Sequence, residues 1–174
     1  MKRIGEILIE HGTLTQKQLE AALKEQKQQP DRLLGELLIE LGYVTEEDIV
    51  AALATQFNIP YLPIANFTID ESVTGLISRE LVEKYICVPL DRIGNFLTVV
   101  MADPTNERAV SDIETITKCK VQVFVATTTE IVAAIEKYYK IQMAPGSKPD
   151  QKVSQISFRS AVDQKREEKT IQKK

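Results

Sequence analysis

Two glycines and two glutamines near the start of the chain recur at an interval of thirty residues: Gly5 with Gly35, and Gln26 with Gln56. Arg3 stands two positions ahead of the first glycine. These residue types suit a nucleotide. A glycine at a helix start lets a ligand approach exposed backbone N–H groups, which favour phosphate. A terminal amide can read the edge of a base, and a guanidinium can pair with phosphate or stack on the base.

The recurrence belongs to a longer duplication. Arg3 to Gln26 reads RIGEILIEHGTLTQKQLEAALKEQ, and Leu33 to Gln56 reads LLGELLIELGYVTEEDIVAALATQ; 11 of the 24 positions are identical. A duplicated unit sets the architecture, so it is read before anything else. A packing account competes with the ligand account. Leucine, isoleucine and alanine positions would form a core, Gly12 and Gly42 would end helices, and the glutamines would be solvated. That account leaves Gly5 and Gly35 poorly explained, because glycine inside a helix costs roughly 1 kcal/mol against alanine.

The elements that must position these residues can be read from caps and periodicity. In the first copy a helix spans about 4–10 and Gly12 terminates it. Thr15 with Gln18 forms a capping box for a second helix reaching about Gln28, with Leu19, Ala22, Leu23 and Gln26 on one face. The second copy repeats the design with Gly42, Thr45 with Asp48, and Ile49, Ala52, Leu53 and Gln56. Pro30 separates the two hairpins. After Pro60 the composition changes: 61–75 is irregular, with a turn of helix expected near 70–77. Ser78 caps a short helix over 79–85. Strands are expected at 87–93 and 96–101, joined at Gly94-Asn95, and Pro89 assigns the first of them to an edge or strand start. A helix opens at Asp103-Pro104-Thr105-Asn106 and runs to about Thr117. A strand over 121–126 follows, then a Thr127/Glu130 capping box and a helix to about Lys140. The fold class is α+β: a pair of duplicated helical hairpins over 1–58, then a small α/β sandwich of about three strands over 59–142. From 143 to 174 polar residues dominate, and the segment is expected to be a disordered polar tail; removal of 147–174 is expected to leave stability unchanged.

Composition narrows the function. The 174 residues carry a formal charge of −3, but 147–174 hold a net +4, leaving −7 on the preceding 146. An acidic body argues against binding a nucleic acid polymer. Cys87 and Cys119 lack CxxC spacing and are expected as buried thiols of a reducing compartment. No run of 18 apolar residues and no signal-peptide pattern occurs, so the expected setting is cytoplasmic, without direct membrane insertion. No GxxxxGK[ST] sequence occurs, and the single histidine, His11, is replaced by Leu41 in the other copy. No catalytic residues and no metal ligands are assigned.

The pattern RxGxxLxxxG, then a helix ending LxxQ, duplicated and followed by an α+β unit carrying VxMADPTN, resembles a known module. It is similar to the N-terminal domain of type II secretion and type IV pilus assembly ATPases, in the subfamily that binds cyclic di-GMP. The likeness runs over about residues 3–140. It implies that each motif contributes to one cyclic di-GMP molecule, a regulatory ligand rather than a required cofactor, whose bases lie on leucine-lined helices. Arg3, Ile4, Gly5, Leu19, Leu23 and Gln26 would contribute from the first copy, and Leu34, Gly35, Ile49, Leu53 and Gln56 from the second. Asp103, in the ADP tripeptide, matches a position that can close over the ligand. The second copy departs from the pattern, with Leu33 directly before Leu34-Gly35. Arg32 stands one residue early, a rotation of roughly 100° on a helix, and is carried as the candidate arginine of that copy.

The resemblance implies partners among secretion or pilus assembly proteins, a motor ATPase or an inner-membrane platform component. Two readings stay open: a non-catalytic cyclic di-GMP-binding regulatory or adaptor module, and a docking module of the same machinery that binds no nucleotide.

Overall fold

A computed structural model describes residues 2–143; the expected disordered tail lies, from residue 144 on, outside the described residues. Four short helices come first: α1 (Ile4–Glu10), α2 (Gln16–Gln28), α3 (Leu34–Glu40) and α4 (Glu46–Phe57). Thr15 and Thr45 cap α2 and α4, each accepting from the backbone N–H three residues on, and Gln18 and Asp48 return the bond to the cap backbone. Gly12 and Gly42 take φ of +76° and +68°, the left-handed turn that ends α1 and α3. The two copies therefore fold alike, cap for cap.

The helices pair across the copies as well as within them. α1 packs on α4, and α2 packs on α3. The core between them is made of equivalent positions from both copies: Leu8 with Leu38, Leu14 with Val44, and Ala22 with Ala52 are all buried. Because α1 and α3 are only seven residues long, tertiary burial rather than propensity must hold them. The hairpins form one pseudo-twofold four-helix unit.

The second half is an α+β layer: α5 (Glu71–Thr74), α6 (Arg79–Tyr85), β1 (Cys87–Ile93), β2 (Phe96–Met101), α7 (Glu107–Thr117), β3 (Lys120–Val125) and α8 (Thr128–Tyr139). The sheet order is β1-β2-β3, with β1 antiparallel and β3 parallel to β2. Pro89 lies on the edge strand, beside a register shift between Pro89 and Asp91. The expected helical turn near 70–77 shrinks to the four residues of α5, capped by Asp70. β3 starts one residue earlier than expected, where the Lys120 N–H donates to the Asn95 carbonyl at 2.7 Å.

The connection after Pro60 is not wholly irregular. Tyr61 bridges Val125 in parallel, with the Leu62 N–H donating to the Val125 carbonyl at 2.8 Å and the Val125 N–H to the Pro60 carbonyl at 3.1 Å. A short extended piece thus extends the sheet beyond β3. The core of this half, centred on Val82, Leu97, Val99, Ile113, Ile131 and Ile135, shares no residue with the hairpin core.

Candidate functional site

The two glutamines mark where the motif ends meet. Gln56, in the last turn of α4, donates through Nε2 to the carbonyl of Lys2 at 3.1 Å. Gln26, in α2, donates to the carbonyl of Arg32 at 2.9 Å. Lys2 and Arg32 each precede the cap residue of a first helix, α1 or α3. Each motif's end therefore holds the other motif's beginning. With α1 packed on α4 and α2 on α3, Gln56 reaches the start of α1 and Gln26 the start of α3. The glutamine ends pair crosswise, while Gly5 faces Leu19 and Gly35 faces Ile49 within their own copies.

The glycines answer to packing. A Cβ on Gly5 would sit 2.7 Å from Cδ1 of the buried Leu19, so a side chain at position 5 would force Leu19 to move. Gly35 is looser, its nearest neighbour being Ile49 Cγ2 at 3.4 Å. Leu19 fills the space where a side chain at position 5 would stand. Leu19 and Ile49, expected as ligand contacts, are the side chains that face these glycines. Leu23 remains 40% exposed at the other end of the apolar stripe.

The arginines differ. Among the described residues Arg3 places its guanidinium against no acceptor; only its backbone is engaged, the N–H donating to Glu6 at 2.8 Å and the carbonyl accepting from the N–H groups of Glu6 and Ile7. Arg32 is held on three sides, by Glu40, by Glu36 at 3.9 Å and by Gln29 Oε1 at 3.4 Å. The Arg32–Glu40 pair is the equivalent, thirty residues on, of Lys2–Glu10, which closes at 2.7 Å. Arg32 is therefore the counterpart of Lys2, and Leu33 stands in the place of Arg3. The two are backbone equivalents, with φ/ψ of −80°/153° at Arg3 and −73°/141° at Leu33, each capping a seven-residue helix.

Asp103 lies on the other half of the molecule. Its Oδ1 accepts from the Thr105 N–H at 2.9 Å and the Thr105 hydroxyl at 2.6 Å, while Oδ2 is buried without a partner. Asn106 caps α7 through Oδ1, accepting from the Ala109 N–H at 3.0 Å, and leaves its Nδ2 buried and unpaired. The third such atom among the described residues is Gln56 Oε1, next to Lys2 and Arg3. Among these residues no His, Cys, Asp and Glu cluster is suited to a metal, and no helix is long and apolar enough to cross a membrane.

The hairpins meet the α+β half at Glu46, a contact that sequence reasoning missed. The carboxylate accepts from the Thr129 N–H at 3.2 Å and from its hydroxyl at 2.7 Å, capping the first turn of α8 from 83 residues away. Nearby, the Tyr61 hydroxyl is pushed above its ordinary pKa by burial and then by Glu130, Glu47 and Glu46, whose carboxylates gather at this junction. One sequence signal pointed here: Gln16 is the first-copy equivalent of Glu46 and bonds within its own helix, to Glu20 at 3.0 Å.

Comparison with known proteins settles the family. Residues 57–145 match the MshEN domain model, which is half of the chain. The chain belongs to the MshEN domain family. The MshEN match falls on the α+β half, and the hairpins are reached by longer alignments. The type IV pilus assembly ATPase PilB of Myxococcus xanthus (strain DK1622) is 32% identical over 137 residues, 79% of this chain but 24% of that protein. PilB of Pseudomonas aeruginosa is 29% identical over 87 residues, half of this chain and 15% of PilB. The chain thus spans a quarter or less of the length of these relatives. A solved structure of MshE with cdg superposes with a TM-score of 0.70 at 27% identity, covering 80% of this chain and all of that one. The N-terminal domain of XpsE superposes with a TM-score of 0.61 at 25% identity, over 78% and 93% of the two chains. The α+β arrangement is that of these relatives.

Proposed function

We propose that the chain is a non-catalytic regulatory or adaptor module that binds cyclic di-GMP across its two hairpins and acts on type II secretion or type IV pilus machinery. The observation that carries this reading is the crosswise closure of the motifs. It sets an unpaired guanidinium, Arg3, beside a glutamine whose amide oxygen is buried without a donor, at one end of a pseudo-twofold unit. A cyclic dinucleotide is itself twofold, with two phosphates for cations and two guanine edges rich in N–H donors. The likeness to MshE solved with cdg points the same way. Leu23 and Leu53 would lie under the bases. Asp103, with Oδ2 unpartnered, would approach from the α+β half. Binding would shift how the halves pack only by as much as the ligand prefers one arrangement.

Titration calorimetry of cyclic di-GMP into the protein tests the proposal. Saturable heat with micromolar protein, lost in Arg3→Ala, supports it. No heat from either protein removes the ligand.

One set of observations favours a second reading, a docking module that binds no nucleotide: Leu33 stands where a second arginine would, and Arg32 is committed to Glu36 and Glu40. On that reading the relatives' role in pilus assembly points to a motor or platform component as the partner. Retention of the partner on the immobilised chain, unaltered by Arg3→Ala and by added nucleotide, would favour it.

A further inference from the structure

Resting on the cyclic di-GMP reading above, we infer that the two ends of the hairpin unit are unequal half-sites, with residue 33 as the determinant of how tightly the second half of the ligand is held. The two ends share a backbone. Gln56 closes on Lys2 as Gln26 closes on Arg32, Lys2 pairs with Glu10 as Arg32 pairs with Glu40, and Arg3 and Leu33 adopt the same extended cap conformation.

Against that shared frame the side chains differ in three ways. Arg3 brings a charge with no acceptor among the described residues, where Leu33 brings an apolar side chain left 38% exposed. Gln56 carries a buried oxygen lacking a donor, while Gln26 leaves no such atom. The neighbouring cation at the Leu33 end, Arg32, is drawn away along α3 by Glu36 and Glu40. One end therefore offers an unengaged guanidinium to an anion or a base face. The other offers the apolar side chain of Leu33 in that place. A twofold ligand is held firmly at the Arg3 end and loosely at the Leu33 end.

Because frame and ligand are both twofold, an arginine should serve equally well at either end. Three variants test this against wild type by titration calorimetry with cyclic di-GMP: Leu33→Arg, Arg3→Leu, and the exchange Arg3→Leu/Leu33→Arg. Both positions are exposed caps, and circular dichroism checks that each variant is folded. Adding or removing one charge-assisted hydrogen bond to the ligand changes the dissociation constant by about tenfold. We expect Leu33→Arg to tighten binding by that factor, Arg3→Leu to weaken it by as much, and the exchange to return it to the wild-type value. A merely structural role for Arg3 would not be rescued by an arginine thirty residues away. Wild-type binding with Leu33→Arg unchanged, or with the exchange as weak as Arg3→Leu, overturns the unequal half-sites and leaves the ligand standing. No binding by wild type or Leu33→Arg removes the ligand itself.

Discussion

Gln56 donates to the carbonyl of Lys2 across 54 residues of sequence, so the last turn of α4 fixes where α1 begins. The equivalent bond from Gln26 to Arg32 fixes the start of α3. A paired feature that reads in sequence as a base-recognising amide is, in the folded chain, first a brace for the opposite motif. On the proposed cyclic di-GMP reading, the brace matters because it seats Arg3 and Leu33.

Gln56 should be replaceable only at a cost. Gln56→Ala removes the donor to Lys2, and a hydrogen bond of this kind contributes about 1 kcal/mol. Urea unfolding should show a loss of that order, with Gln56→Glu no better, since a carboxylate cannot donate to a carbonyl. An unchanged midpoint in both variants would show that the bond contributes nothing.

The two motif glycines should respond differently to alanine. At Gly5 the new methyl meets Leu19 at 2.7 Å, and overpacking costs about 1–3 kcal/mol, more than the roughly 1 kcal/mol of helix propensity recovered. At Gly35 the 3.4 Å approach needs little movement, so the propensity term should prevail. Thermal melts should place Gly35→Ala at or above wild type and Gly5→Ala below it. The reverse order would contradict the packing account of Gly5.

Glu46 should tie the halves together. Glu46→Ala leaves the Thr129 N–H and hydroxyl to water at an exposed site, a loss of about 0.5–1 kcal/mol. The sharper readout is limited proteolysis near residues 57–62. Faster cleavage than wild type at that junction is expected, and identical cleavage would mean that the Glu46–Thr129 cap does not restrain the halves.

Cys87 should give the folded state an alkaline limit. The side chain is fully buried, and burial pushes its thiol from 9.0 up to about 12. Because the folded pKa is the higher one, this stabilisation is fully present below about pH 9 and is lost as pH rises towards about 12. Between those values stability should fall by up to about 1.4 kcal/mol per pH unit from this group. Cys87→Ala should flatten the slope in denaturant titrations between pH 9 and 10.5, and thiol reagents should not label Cys87 before unfolding.

Most of the architecture was legible because its signals are local. Thr15/Gln18, Thr45/Asp48 and Thr127/Glu130 announce helix starts by their own spacing, and Gly94-Asn95 announces a hairpin turn. The strands of that hairpin, and α6 behind Ser78, fall at the expected residues. What stayed illegible depends on pairings distant in sequence. That Gly5 makes room for Leu19 requires knowing how α1 lies on α2. That Gln56 braces Lys2 requires knowing that α4 lies on α1. The strand-like addition at Tyr61 and the Glu46–Thr129 cap join segments more than sixty residues distant, beyond the reach of periodicity.

The central claim is that the crossed ends of the two motifs hold one cyclic di-GMP between them. Backbone amide spectra of isotope-labelled protein, followed through a cyclic di-GMP titration, test it most directly. The account predicts shifts that saturate at one ligand per chain and fall on both ends at once: residues 2–5 with 53–56, and residues 23–26 with 32–35. Unperturbed spectra at millimolar ligand, or shifts that leave both ends of the hairpin unit untouched, would contradict it.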